Sequence, residues 1–209
     1  MKWTQMPLGA IQTNAYILEN DNKEALIIDP GAEAEKVMTF IKDHALKPLA
    51  ILLTHAHFDH IGALEAIRNT LHLPVYLHAH EQEWLSDPEK NGSTLFPMVE
   101  ACRCQPAEHV LTEEQNLQIG NFNCRVLETP GHSPGSVAYY FDDDAVVFSG
   151  DALFYGSIGR TDLYGGDQDV LIQSINDKLF SLPSHTVVAP GHGMETTIGY
   201  EKQTNPFLV

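Results

Sequence analysis

Residues 55–60 read His55-Ala56-His57-Phe58-Asp59-His60, four side chains able to ligate a metal within six positions. At the chain's own histidine and aspartate frequencies, such a string is expected by chance about 0.002 times per chain. Imidazole with carboxylate suits zinc or iron, and the lack of cysteine in the string argues against a structural thiolate zinc site. Three further candidates each follow a glycine directly: His132 in Thr129-Pro130-Gly131-His132, Asp151 in Ser149-Gly150-Asp151, and His192 in Ala189-Pro190-Gly191-His192. Glycine before a ligand allows a sharp turn and close backbone approach.

Each of these four segments stands at the end of an apolar run that reads as a strand. Residues 15–18 and 25–28 read as a hairpin turned by the polar stretch 19–24. Asp29-Pro30-Gly31 ends its second strand. Residues 33–44 have helical spacing at Val37, Phe40 and Ile41. The strand 49–53 runs straight into Thr54 and the histidine string. A loop there can point alternate side chains in different directions and so feed two metals. A helix is expected over 61–71, a strand at 75–77 and a long irregular loop over 86–109. Strands follow at 117–119, 122–127, 136–141 and 145–148, then a helix over 170–182 and a strand at 186–189. Strands in blocks with helices between and after them indicate a mixed α/β layered domain. Four strand ends delivering ligands gather them at one edge of the sheets.

Composition narrows the class. The chain has 209 residues, 43% hydrophobic and 19% charged, as expected of one globular domain spanning 1–209. Its net charge of −16 opposes a nucleic-acid backbone or an anionic membrane as partner. No apolar run reaches the length of a membrane span, and no basic start followed by an apolar block suggests a secretory signal. Three cysteines, Cys102, Cys104 and Cys124, do not suggest a disulfide framework, so a cytoplasmic protein with free thiols is expected. His78-Ala79-His80 repeats only half of the ligand string and reads as ordinary.

The ligand motifs together resemble those of the metallo-β-lactamase superfamily, over nearly the whole chain. His55, His57, Asp59, His60, His132, Asp151 and His192 match its motifs one by one. The segment from Gly150-Asp151-Ala152-Leu153-Phe154-Tyr155-Gly156 to Gly159-Arg160-Thr161-Asp162 is similar to the glyoxalase II-like branch. Gly191-His192-Gly193, Thr196-Thr197-Ile198-Gly199 and Asn205-Pro206-Phe207 resemble its short bacterial form. The resemblance implies an αββα sandwich with the metal site at one edge of the two sheets. It also implies two divalent ions, zinc before iron or manganese. One would be held by His55, His57 and His132, the other by Asp59, His60 and His192, with Asp151 bridging together with a water or hydroxide. Seven ligands are too many for one zinc and suit two ions, which make a shared water acidic. Asp59 and Asp151 are the catalytic carboxylates of that scheme. Asp29 and Thr54 are expected to orient the histidine loop, and Arg160 and Tyr155 to contact substrate.

The implied reaction is hydrolysis of a hydroxyacyl thioester, a small-molecule substrate, by a monomer or small homo-oligomer. A thiolate leaves with a pKa of about 8.5, without obligatory protonation. Only 17 residues follow His192, where full-length glyoxalase II has a helical region that helps hold glutathione. The alternatives are a persulfide dioxygenase with one iron on His55, His132 and Asp151, or a hydrolase of another ester, lactone or lactam. The flavodiiron branch, with glutamate in place of His57, and the nucleic-acid-processing branch, opposed by charge, fit less well.

Overall fold

The computed structural model describes residues 1–96 and 99–208. The chain forms two compact units, Met1–Leu111 with Gln118–Phe122, and Thr112–Leu117 with the described chain from Asn123 onward.

The first unit is built on six strands hydrogen-bonded in chain order: β1 (Lys2–Leu8), β2 (Thr13–Glu19), β3 (Glu24–Ile28), β4 (Lys47–Leu52), β5 (Val75–His78) and β6 (His109–Leu111). β1, β2 and β3 pair antiparallel, with Tyr16 opposite Ile28 in the expected hairpin; β3 to β6 run parallel. The inner strands are near-continuous apolar runs because both their faces are buried, as at Leu26, Ile27, Ile28, Ile51 and Leu52. α1 (Ala34–Asp43) buries Val37 and Ile41, and α3 (Leu64–Leu71) buries Leu64 and Ile67; these join the sheet residues in one core. Burying such a side chain contributes about 1.5–3 kcal/mol.

The helix expected over 61–71 is interrupted. α2 (Phe58–Ile61) stops, and α3 starts at Leu64. The Ala63 amide donates to the Pro30 carbonyl at 3.0 Å, which breaks the helical ladder at Gly62. Gly31 explains the close approach: a Cβ there would lie 1.6 Å from the Asp59 carbonyl oxygen. The Asp29-Pro30-Gly31 turn is thus docked on the segment that carries Asp59 and His60.

The loop expected over 86–109 contains the end of a 3-10 helix (Ala79–Ser86), a 3-10 turn (Ser93–Leu95) and the start of β6. Pro97 and Met98, within that expected loop, lie outside the described residues.

The second unit carries most of another six-stranded sheet. Its strands are β7 (Gln115–Ile119), β8 (Phe122–Glu128), β9 (Val137–Phe141), β10 (Val146–Gly150), β13 (Val187–Pro190) and β14 (Thr196–Thr197), in the order β14-β13-β10-β9-β8-β7. Between them lie a short hairpin, β11 (Leu153–Phe154) with β12 (Ser157–Ile158), and α4 (Gln168–Asp177); α5 (Ile198–Thr204) follows β14. α4 buries Leu171 and Ile175 in a core shared with Ala138, Val147, Val188 and Ile198. Asp167 caps it, accepting from the Val170 amide at 3.1 Å, so it begins before the expected residue 170. It also ends earlier than 182: a 3-10 turn covers Leu179–Ser181, and Pro183 holds Leu182 extended.

Candidate metal centre

His55 and His57 leave the end of β4, and Asp59 and His60 fall in α2. Asp29, at the end of β3, organises this group although it is buried and has a left-handed φ of 48°. Its Oδ1 accepts from the Thr54 amide at 2.8 Å, and its Oδ2 from the Thr54 hydroxyl at 2.6 Å. The same Oδ2 lies 3.0 Å from His60 Nδ1. Thr54 Oγ1 spends its hydrogen on Asp29, so it accepts from His55 Nδ1 at 3.0 Å. One carboxylate therefore sets both rings as Nδ1–H tautomers, with the Nε2 lone pairs left for ligation.

Two partners in this half carry no signal in the motif. Glu81, fully buried, accepts from the Ala56 amide at 2.6 Å and so holds the backbone between His55 and His57. Thr13 Oγ1 donates to Asp59 Oδ2 at 2.7 Å. The His57 ring lies 5.6 Å from that of buried Trp84. His78 caps the 3-10 helix, with Nδ1 accepting from the His80 amide at 3.3 Å.

In the second unit, His132 follows β8, Asp151 follows β10 and His192 follows β13. β10 and β13 are parallel neighbours, and the Gly191 amide donates to the Gly150 carbonyl at 2.8 Å, so the ends delivering Asp151 and His192 stay together. Asp151 Oδ2 lies 3.5 Å from His192 Nε2 and 3.6 Å from His132 Nε2. His132 donates from Nδ1 to the Arg160 carbonyl at 2.7 Å, which again leaves Nε2 for a metal. Gly131, at φ 126°, lets α4 approach: a Cβ there would stand 2.2 Å from the Leu171 nitrogen.

Arg160 thus meets His132 through its main chain. Its guanidinium forks onto Asp162, at 2.7 and 2.8 Å, and holds that carboxyl down at about 2. Tyr155 is exposed and stacks on Tyr200 at 5.2 Å, with the two hydroxyls 3.0 Å apart.

The candidate ligands are His55, His57, Asp59 and His60 in one unit and His132, Asp151 and His192 in the other. Imidazoles with tethered Nδ1 atoms, together with carboxylates, are a donor set suited to a borderline divalent ion such as zinc or iron.

The chain belongs to the metallo-beta-lactamase superfamily, whose family model matches residues 8–192. Its mixed α/β architecture with two six-stranded sheets is the fold of that superfamily. The chain is 53% identical to the probable metallo-hydrolase YqgX of Bacillus subtilis, over all of this chain and 98% of that protein. It is 37% identical to the hydroxyacylglutathione hydrolase GloC of Haemophilus influenzae, over 97% of this chain and 96% of GloC. The solved B3 metallo-beta-lactamase BLEG-1 superposes with a TM-score of 0.97 at 57% identity, covering 99% of both chains. TTHA1623 in a di-iron-bound form gives 0.86 at 43% identity, covering 98% of this chain and all of the other. The chain is accordingly a metal-dependent hydrolase of this superfamily. Among the described residues, no helix is long and apolar enough to cross a membrane.

Proposed function

We propose that the protein hydrolyses hydroxyacyl thioesters and holds two divalent metal ions on His55, His57, Asp59, His60, His132, Asp151 and His192. The observation carrying this reading is the complete set of seven donors, with the rings of His55, His60 and His132 turned Nε2-outward by Thr54, Asp29 and the Arg160 carbonyl. Likeness to GloC over nearly all of both chains supports the thioester substrate. Bound there, two ions supply an acidified water near neutral pH and a Lewis acid for the substrate carbonyl. The chain's own contribution is to fix ring tautomers, to place the Asp151 carboxylate beside two imidazoles, and to steady the Asp59 carboxylate through Thr13. Asp59, exposed enough to meet solvent, is the group placed to take up or pass on a proton. The thiolate departs unprotonated, so no further acid is demanded of the chain.

The test pairs metal analysis of the purified protein with hydrolysis of S-lactoylglutathione. About two equivalents of zinc, iron or manganese with turnover is the expected result. One equivalent of iron without turnover would overturn it and point to the dioxygenase reading. The second reading is a lactam substrate, favoured by the likeness to BLEG-1. Hydrolysis of a chromogenic cephalosporin in preference to the thioester would establish it.

In the thioesterase reading, Arg160 exchanges Asp162 for a substrate carboxylate, which its fork suits, and Tyr155 flanks the leaving thiol. Arg160→Ala keeps the carbonyl that holds His132. It is therefore expected to raise KM for carboxylate-bearing thioesters about tenfold, the worth of one exposed charge-assisted contact, with kcat little changed. An unchanged KM removes the Arg160 side chain from the substrate site.

A further inference from the structure

Cys102 and Cys104 are not among the seven proposed metal ligands. Their sulfurs lie 4.0 Å apart, with Cys102 half-buried and Cys104 buried. The backbone around them is pinned at three points. The Cys102 amide donates to Ser93 Oγ at 3.0 Å, buried Asn91 donates to the Cys102 carbonyl at 2.9 Å, and the Cys104 amide donates to the Leu85 carbonyl at 2.6 Å. Arg103 between them is drawn off to the Ser86 carbonyl at 2.6 Å. Both thiols line a cavity of about 440 Å³ together with Leu8, Ile11, Phe58 and Glu65, and Thr13 and Asp59 of the candidate metal centre form another part of its wall. That volume is in the range of small-molecule sites, and the wall is largely apolar.

We propose that Cys102 and Cys104 form a thiol–disulfide exchange site for low-molecular-weight disulfides admitted by this cavity. The two thiols have separate tasks. The contact between the two sulfurs holds the Cys102 thiol below its ordinary range, whereas that same contact and burial push Cys104 up, and the Cys104 thiol also reaches the Ile61 carbonyl at 3.7 Å. The accessible thiolate is the attacker and the buried thiol the resolver. The Cys102 thiolate attacks one sulfur of a disulfide RS–SR; the S–S bond breaks, RS⁻ departs and takes up the proton Cys102 has lost, and a mixed disulfide remains on Cys102. Cys104 then gives up its proton and attacks Cys102 Sγ, the second RS⁻ leaves and is protonated, and the Cys102–Cys104 bond forms. In sum, one RS–SR is reduced to two RSH while two cysteines are oxidised. Closing the pair requires the sulfurs to move from 4.0 Å to a bonding distance of about 2.05 Å. Cys124 serves as internal control: burial pushes its thiol up to about 12.

The experiment treats the reduced full-length protein with 2-hydroxyethyl disulfide and follows intact mass and peptide mass. The expected product has lost two hydrogens, with Cys102 linked to Cys104. Cys102 should react at least about tenfold faster than Cys124. Cys104→Ser should stop at the mixed disulfide on Cys102, and Cys102→Ser should give neither product. If the wild-type protein keeps the adduct on Cys102 without closing, or reacts at Cys124 as fast as at Cys102, the proposal fails. The wild-type comparison does not depend on either variant folding, and none of these readouts depends on bound metal or turnover.

Discussion

Asp151→Ala is expected to lose metal and hydrolysis together. The carboxylate follows β10 directly, and its Oδ2 lies within 3.6 Å of both His132 Nε2 and His192 Nε2. In the proposed centre it is the donor common to both ions, so no remaining side chain can take its place for either. Loss of an outer partner of a ligand costs about 10–100-fold in metal affinity or activity, and loss of the ligand itself should exceed the upper end of that range. Both equivalents should weaken in a chelator competition, and thioester turnover should fall more than about 100-fold. The backbone at this position does not depend on the carboxylate: the Gly191–Gly150 hydrogen bond and the β10–β13 pairing stay in place. The apo-protein's melting temperature should therefore move little. Full activity in the variant would sink the shared-carboxylate scheme.

Side chains that would touch a metal were legible in the sequence because each is a distinctive residue type beside a strand end or glycine. Their supports were legible only where punctuation marked them. Asp29 stands in an Asp-Pro-Gly turn and could be singled out; Glu81 and Thr13 sit in ordinary surroundings and reach Ala56 and Asp59 only through the fold. The partner of His132 is a main-chain carbonyl, which has no residue type to read. The fold shows the same division. The apolar runs of β2 to β4 stand out, whereas β1 is an edge strand with Pro7 and weak alternation. The break between α2 and α3 depends on an amide captured by Pro30, more than thirty positions upstream, so local periodicity carries on through it. α5, seven residues with a glycine at its second position, takes its support from buried Glu201. That carboxylate accepts from Thr196, Gly156 and Asn205, contacts no helical pattern announces.

Asp29→Asn is expected to separate the two ions. Asparagine, like aspartate, tolerates the left-handed φ of 48° at this position, so the turn should persist; alanine would add about 1–2 kcal/mol of backbone strain and blur the result. What changes is the pattern of donors and acceptors. The carboxylate accepts from the Thr54 amide on Oδ1, and from the Thr54 hydroxyl and His60 Nδ1 on Oδ2. An amide has one oxygen and one NH2 for these three partners. If the NH2 takes the Oδ1 position, it faces the Thr54 N–H, and a buried donor loses its acceptor at a cost of about 1–3 kcal/mol. If it takes the Oδ2 position, His60 must accept on Nδ1 and move its hydrogen to Nε2, the atom proposed to bind metal. The second arrangement keeps the Thr54 amide bond but takes the acceptor from the Thr54 hydroxyl and sacrifices the ligand; the first keeps the ligand but removes the negative charge that makes the ring more basic. Either way, affinity at the ion that the family resemblance assigns to Asp59, His60 and His192 should fall about 10–100-fold. The ion that the family resemblance assigns to His55, His57 and His132 should be affected less, because His55 meets position 29 only through Thr54 Oγ1, which has a second lone pair to accept from His55 Nδ1. A stepwise chelator titration should therefore release one equivalent early and the other near its wild-type point, in contrast to the joint loss expected for Asp151→Ala. Two equivalents retained with wild-type affinity would show that the Asp29 carboxylate supports only the fold of the histidine loop and does not tune its metal.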